Sequence, residues 1–392
     1  MVIPAYVVGY GIIDTLGNNP QDCFNNMLND EDYSVELDFM KEHKIHRGIC
    51  VNSSLIKLPD KLTPKITSNM TRAELLAIHT IDQAIKMSGL PLTENVAVIV
   101  SSVSNDVEFL TEENFQKLKN NKRLNPFKMI NRMPDIISSQ ICGYYGFMGM
   151  SFGIYGTCAT GLYSIDYALR IVDEYDYVIV SCADAPVFEM SLKYFSSIGV
   201  LGNFNKPFDD TREGFVLGEG SGTLIIQSEE KVKEFNSTKH AKLYPVGSAC
   251  DAFSLTSPAN DGRGANIALN NALKGINSID AISAHATSTV IGDPIEYKVI
   301  TDRFTTTPIY APKSKIGHTL SSAGILETIY AILSMKNKII PHCQNMIECS
   351  YDTHKVLVRK PIKMIGNVLK TLNNSFGLGG KCASQIIEVS DD

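Results

Sequence analysis

Short runs of consecutive apolar residues recur along the chain, and between them apolar positions recur at helical spacing. Val96-Ala-Val-Ile-Val100, Tyr177-Val-Ile-Val-Ser181, Gly222-Thr-Leu-Ile-Ile226 and Ala281-Ile-Ser-Ala284 are short and lack polar alternation. They predict strands covered on both faces, as in a parallel or mixed sheet. Leu76, Ala77, Ile81, Ala84 and Ile85 line one face of a helix predicted over Ala73–Met87, and Leu162, Ile165, Leu169 and Val172 do the same further on. Alternation of the two periods predicts an α/β protein built in layers. The opening run is interrupted by Pro4, Gly9 and Gly11 and lacks a basic flank and a cleavage site. It reads as a first strand and turn, not a signal peptide, and no run reaches membrane-spanning length.

A polar stretch around Lys233–Lys242, with Asn236-Ser-Thr-Lys239, marks a surface loop that divides the chain into halves 1–235 and 236–392. The halves echo each other. Met150-Ser-Phe-Gly-Ile-Tyr155 leads into Cys158 and an amphipathic helix; Pro308-Ile-Tyr-Ala311 leads into His318 and a helix carrying Leu326, Ile329 and Leu333. A reactive residue is thus expected at a strand-to-helix junction in each half. Helix N-termini favour anions, so the Cys158 thiol is expected to have a lowered pKa.

Composition narrows the classes. With 392 residues, 44% apolar and 20% charged, the chain is globular and long enough for two ordinary cores or one large duplicated one. Its nine cysteines form no CxxC pair, which fits reduced thiols in the cytoplasm, most of them core fillers, better than disulfides or a zinc site. A net charge of −6 without an arginine-rich arm argues against nucleic acid as a partner. No Rossmann or Walker glycine pattern and no metal-ligand spacing occurs, so neither a nucleotide cofactor nor a metal is expected.

Three motifs carry the candidate chemistry. In Tyr155-Gly-Thr-Cys-Ala-Thr-Gly161 the small neighbours of Cys158 leave room for a substrate, and Thr157 and Thr160 offer hydrogen bonds; this suits an acyl-accepting thiol. In His285-Ala-Thr-Ser-Thr-Val-Ile-Gly-Asp293 the hydroxyl-rich turn is placed to fix the His285 imidazole. In Lys313-Ser-Lys-Ile-Gly-His318, with Glu327 beyond, a nearby cation would hold the His318 imidazole neutral and able to donate to a thioester carbonyl. One thiol and two such imidazoles suit carbon–carbon bond formation on thioesters. Asn374-Ser-Phe-Gly-Leu-Gly-Gly380, taken alone, is a tight hairpin turn.

Taken in order, Val8-Gly-Tyr-Gly11, the Cys158 block, Pro207-Phe-Asp-Asp-Thr-Arg-Glu-Gly-Phe-Val-Leu-Gly-Glu-Gly220, the two histidine motifs and the last glycine-rich turn resemble the β-ketoacyl-acyl-carrier-protein synthases, ketosynthases of the thiolase superfamily, over nearly the whole chain. The resemblance implies a duplicated thiolase-like αβαβα layered fold. It implies decarboxylative Claisen condensation of an acyl group on Cys158 with a malonyl group on acyl carrier protein, in fatty acid or type II polyketide or polyene elongation. No cofactor is implied beyond the phosphopantetheine arm of the carrier. The implied assembly is a homodimer, or a heterodimer with a related ketosynthase-like subunit. Cys158, His285, His318, Lys313 and Glu327 are the implied catalytic set, the backbone N–H groups of Cys158 and Leu378 the oxyanion hole, Asp293, Glu296, Thr287 and Thr289 the support, and Phe376 and Leu378 the substrate gate.

Three residues depart from the family pattern: Ala286 stands where glycine is usual, Leu378 where an aromatic gate is usual, and Cys382 where asparagine is common. An aliphatic gate would alter which chains are admitted, so a specialised polyketide or polyene role stands beside fatty acid elongation. A coenzyme A-dependent thiolase-like or starter-type enzyme is disfavoured by the presence of both histidines, and a silent chain-length subunit by Cys158. The active member of a ketosynthase/chain-length-factor pair stays open. Between Glu113 and Asp135 no acid occurs, yet Lys117, Lys119, Lys122, Arg123, Lys128 and Arg132 do. This stretch is either a solvated face or, through Lys128, Arg132 and with them Lys65, a docking face for an acidic carrier protein.

Overall fold

A computed structural model describes residues 4–104, 112–122, 130, 133 and 135–391, with the side chains of 65 and 112–115 left out. The apolar runs become strands of a mixed, 11-stranded sheet. The first half of the chain contributes β1 (Ala5–Ile13), β2 (Val96–Ser101), β3 (Ser151–Phe152), β4 (Tyr177–Asp184) and β5 (Gly220–Ser228). The second contributes β6 (Ala241–Leu243), β7 (Gly247–Cys250), β8 (Ala281–Ser283), β9 (Ile309–Tyr310), β10 (Val368–Gly377) and β11 (Lys381–Ser390). Every residue of β2, β4, β5 and β8 is buried, which is why these segments read as unbroken apolar runs and not as alternating ones.

The strand order exposes a duplication. Across the sheet it runs β3-β2-β4-β5-β1 and then, in mirror sequence, β6-β11-β10-β8-β9, with β7 pairing β11 to one side. The pairing senses match: β2 is parallel to β3 and β4, as β8 is to β9 and β10. The remaining pairs, β4 with β5, β5 with β1, β10 with β11 and β11 with β6, are antiparallel. The two arrays meet where Ala5 to Val7 of β1 pair with Leu243 to Ala241 of β6.

Helices complete five layers. α1 (Arg72–Ser88) covers β1, β4 and β5 from outside, and α3 (Arg263–Ala272) covers β7 and β11, with α4 (Gly292–Thr301) against α3. Between the arrays lie α2 (Thr160–Ile171) and α5 (Ala323–Asn337), each touching strands of both halves. α5, the helix carrying Leu326, Ile329 and Leu333, is buried throughout from Ala323 to Met335, because a helix between two sheets has no solvent face. Thr71 and Glu74 form a reciprocal capping box at the start of α1. The polar stretch Lys233–Lys242 starts in the last turn of a helix, Glu229–Phe235, ended by Asn236 in a left-handed cap, and continues as a loop into β6. Among the described residues no helix is long and apolar enough to cross a membrane. Of the proposed docking residues, Lys128, Arg132 and the Lys65 side chain lie outside the described ones.

Candidate active site

The duplication places two strained turns at the middle layer. One-turn 3-10 helices, Thr157–Ala159 and Leu320–Ser322, lead into α2 and α5 and touch each other. Each begins with a non-glycine residue in the left-handed region, Thr157 at φ +52° and Leu320 at φ +49°, a conformation costing of order 1–2 kcal/mol for an L-residue. Gly161 and Gly324 then let the helices cross backbone to backbone: a β-carbon at Gly161 would stand 2.8 Å from Ile325 N, and one at Gly324 3.1 Å from Leu162 N.

Cys158 sits in the first turn, 9% exposed. With His285, His318, Phe376 and Leu378 it lines a cavity of about 280 Å³. The segment ending at Gly380 is indeed the tight turn of the β10–β11 hairpin, and it also forms the wall opposite the thiol. The backbone N–H groups of Leu378 and of Cys158 itself both reach the sulfur. Thr157 Oγ1 holds that hairpin in place by donating to Leu378 O at 3.1 Å. A second cavity, about 260 Å³, shares Cys158, Phe195 and Leu378 with the first and is lined further by Val103, Ser104, Tyr194 and Leu320.

The expected low thiol pKa is overturned: burial pushes the Cys158 thiol up to about 11, against the pull of the Lys313 charge and the Leu378 N–H. The α-helix proper begins only at Thr160, so the helix end acts weakly on the sulfur, and loss of hydration of the thiolate dominates. The resting group is a neutral thiol.

Both histidines are buried, and each has a settled tautomer. Lys313 Nζ lies 3.2 Å from His285 Nδ1, and the Leu320 N–H donates to His318 Nδ1 at 3.1 Å. An ammonium and an amide can only donate, so each Nδ1 accepts and each proton sits on Nε2. The rings stand edge to face with centroids 5.6 Å apart. Burial first, then the Lys313 charge, holds both imidazoles well below their ordinary pKa, so both are neutral. Lys313 is paired with Glu327, both essentially inaccessible to solvent. The lysine thus touches His285, whereas the sequence placed it beside His318. His318 is held by backbone: its N–H donates to Val216 O at 2.8 Å and its carbonyl accepts from the Gly218 N–H at 3.0 Å. The Pro207–Gly220 motif therefore serves as the rail for that turn.

Comparison with known proteins gives the family. Residues 4–232 match the family described as beta-ketoacyl synthase, N-terminal domain, and residues 240–346 its C-terminal domain. The chain belongs to the beta-ketoacyl synthase family. It is therefore a condensing enzyme of the acyl-transferring kind. The mitochondrial 3-oxoacyl-(acyl-carrier-protein) synthase of Arabidopsis thaliana is 33% identical over 67% of this chain and 61% of its own length. 3-oxoacyl-(acyl-carrier-protein) synthase 2 of Staphylococcus aureus is 28% identical over 95% of this chain and 98% of its own. A solved ishigamide ketosynthase/chain length factor shares the fold, with a TM-score of 0.87 and 24% identity over 100% of both chains.

The surrounding groups of this beta-ketoacyl synthase divide their work. Glu296 accepts the N–H groups of His285 at 2.8 Å and Ala286 at 2.7 Å and so fixes the first histidine turn. Asp293 accepts the Phe208 N–H at 2.8 Å and that of Thr289, while its Oδ1 has no partner; burial pushes this carboxyl up to about 7. Thr287 and Thr289 were expected to hold the imidazole. Their hydroxyls instead bond each other at 3.1 Å and face the cavity, because Lys313 already occupies Nδ1. Ala286 adopts φ +32°, a conformation natural to glycine, and lies outside the cavity lining; its methyl strains the turn and does not narrow the pocket. Cys382 lines the cavity and points its thiol at Gly380 O, 3.6 Å away.

Sequence reasoning missed Asp184. This fully buried carboxylate accepts from Val103 N at 3.0 Å, Ser104 N at 2.8 Å and Ser321 N at 2.7 Å, and from the hydroxyls of Ser102, Ser104 and Ser321. It ties the end of β4 to the second cavity, which Val103 and Ser104 line, and to the turn after His318. Its only signal in the chain is a carboxylate closing an apolar strand, Tyr177–Asp184, where a charge has no other reason to stand.

Proposed function

We propose that this chain condenses an acyl group, taken from acyl carrier protein onto Cys158, with a malonyl group on the same kind of carrier. The observation that carries the reading is the pair of neutral imidazoles with Nε2–H donors lining the cavity that holds the thiol. The family names of the relatives supply the carrier.

In the first step the Cys158 sulfur adds to the acyl thioester carbonyl. The N–H groups of Cys158 and Leu378 take the oxyanion, each such donor being worth about 3 kcal/mol. The thiol proton leaves with the phosphopantetheine thiol, so a neutral resting cysteine suffices. In the second step the malonyl thioester carbonyl accepts hydrogen bonds from His285 and His318. The carboxylate departs as carbon dioxide, and its bonding electrons form the enolate that the two donors stabilise. The enolate carbon attacks the Cys158 thioester, the C–S bond breaks, and the cysteine thiolate takes up a proton. Neutral imidazoles suit this step, because they donate without holding the malonyl carboxylate as an ion pair. Lys313 and Glu327 keep His285 in its donor tautomer.

The chain is proposed to work as a dimer with a second copy or a related subunit. β3 is the outermost strand at its end of the sheet. Beside it Met148 is 73% exposed, with Met150, Tyr155 and Tyr167 exposed nearby, an apolar edge suited to burial.

The test is intact mass spectrometry of wild type and Cys158→Ala after incubation with carrier proteins bearing acyl groups of graded length, followed by malonyl-carrier protein. Acyl mass on wild type alone, discharged by malonyl-carrier protein into a product two carbons longer, is the expected result. A Cys158→Ala protein that is acylated equally would refute the assignment.

A further inference from the structure

Lys315 is buried, 2% exposed, in the short helical turn Lys313–Ile316 that precedes His318. Residues two apart on a helical turn point to nearly opposite sides. While Lys313 faces Glu327 and His285, Lys315 faces away from the cavity, toward the end of the helix Pro20–Met27 and the segment that follows it. Its ammonium has three acceptors there: Asn29 Oδ1 at 2.6 Å, Asn26 O at 3.3 Å and Glu31 O at 3.3 Å. Three donors meet three acceptors, so the group is fully satisfied.

Other groups clasp the same segment. Gln344 Nε2 donates to Asp30 O at 2.9 Å and Glu31 O at 2.8 Å. His342 Nε2 lies 3.0 Å from Asp30 Oδ1. Arg47 pairs with Asp32 at 3.1 Å. Tyr33 puts its ring 5.5 Å from the Lys315 nitrogen and accepts from Asn29 Nδ2 at 2.9 Å. The charged and titratable groups around Lys315 are thus Asp30, Glu31, Asp32, Tyr33, Arg47 and His342. None of its three direct acceptors is a carboxylate. Burial lowers its pKa to about 8, with Asp30, Glu31 and Asp32 opposing the fall.

We infer that Lys315 is a positioning residue: in its charged form it pins the Lys313–His318 turn to the Asn26–Glu31 segment and so sets the placement of Lys313 and His318 for the decarboxylative step. A buried amine with no partner would be costly and an apolar side chain would pack there as well, so the built set of three acceptors points to a tether. Acylation of Cys158 relies on the other turn and on the β10–β11 hairpin, and it does not depend on this clasp.

The inference rests on the proposed function, and the experiment separates the two. Acylation of Cys158 by acyl-carrier protein and its discharge by malonyl-carrier protein are timed separately by quenched intact mass, for wild type, Lys315→Met, Lys315→Arg and Asn29→Ala. Lys315→Met is expected to be acylated at the wild-type rate and discharged about tenfold more slowly, the scale of a small misplacement of catalytic groups. Asn29→Ala, altered on the opposite element, should show the same split, and it keeps the test in force should Lys315→Met fold poorly. Lys315→Arg should restore discharge and keep it as the pH rises above about 8, where wild type loses the charge. Equal discharge by Lys315→Met and wild type, or a parallel fall of both steps, would overturn the clasp alone. A wild-type protein that accepts no acyl group would overturn the proposed function and, with it, this inference.

Discussion

Gly377→Ala is the sharpest test of how the oxyanion hole is built. A β-carbon there would stand 2.2 Å from Thr157 Oγ1 and 3.1 Å from both Cys158 N and Gly156 O. The hydroxyl is already committed, at 2.7 Å from Gly156 O and 3.1 Å from Leu378 O. Rotating Thr157 swings its methyl toward the same spot, so the hairpin must retreat and carry the Leu378 N–H away from the sulfur. Overpacking of this kind costs about 1–3 kcal/mol of stability. Loss of one of two oxyanion donors costs about 3 kcal/mol of activation free energy, roughly a hundredfold in rate. Single-turnover acylation of Cys158, with a thermal melt alongside, reads both numbers. Adding Thr157→Gly removes the obstructing hydroxyl and the φ +52° strain but also the hydrogen bond to Leu378 O, so it should recover only part of the rate. Acylation of Gly377→Ala at the wild-type rate would refute this account of the hairpin's role.

Lys313→Met leaves the Glu327 carboxyl, which burial raises to about 7 even with the lysine present, without its cation. Stability should fall by about 3 kcal/mol above pH 7 and by less at pH 6, where Glu327 takes up a proton, as urea unfolding at the two pH values would show; the malonyl-dependent step should be lost while Cys158 still acylates. Asp293 has a folded-state pKa raised from 3.8 to about 7, so the folded state binds the proton more tightly and its contribution to stability declines as pH rises between those values. Asp293→Asn lacks that decline and should gain on wild type by roughly 3–4 kcal/mol from pH 4 to pH 7, with little further gain above it in denaturant titrations. Leu378→Phe adds bulk to the wall shared by the two cavities and should shift the preferred acyl group to a shorter chain in competition assays; an unchanged preference removes the gate argument. Ala286→Gly relieves the φ +32° strain and should raise Tm slightly, a net gain of up to about 1 kcal/mol after the added flexibility of glycine.

What the sequence disclosed depended on how local the physics is. β2, β4, β5 and β8 were legible because strands buried on both faces leave uninterrupted apolar runs, and Cys158 and the histidines because each stands in a glycine- and hydroxyl-rich junction with a chemical reason. The mirrored strand order was legible only as a faint echo between Tyr155 and Ala311, since two halves can share a topology while sharing few residues. The thiol pKa was misjudged because a helix end can be seen in a sequence and desolvation cannot. The tautomers of His285 and His318 rest on Lys313 and on a backbone N–H of Leu320, a residue with no chemical reputation. Asp184, Thr157 and Lys315 belong to the same class. Each acts on the site by holding a turn, so its role follows from what it touches and not from what it is. In this fold the reacting groups are few and local, whereas their placement is distributed over segments as far apart as Asn29, Val216 and Leu378. Substitutions at such remote points should therefore separate the acylation step from the malonyl-dependent step, as exchange of His285 or His318 should do directly.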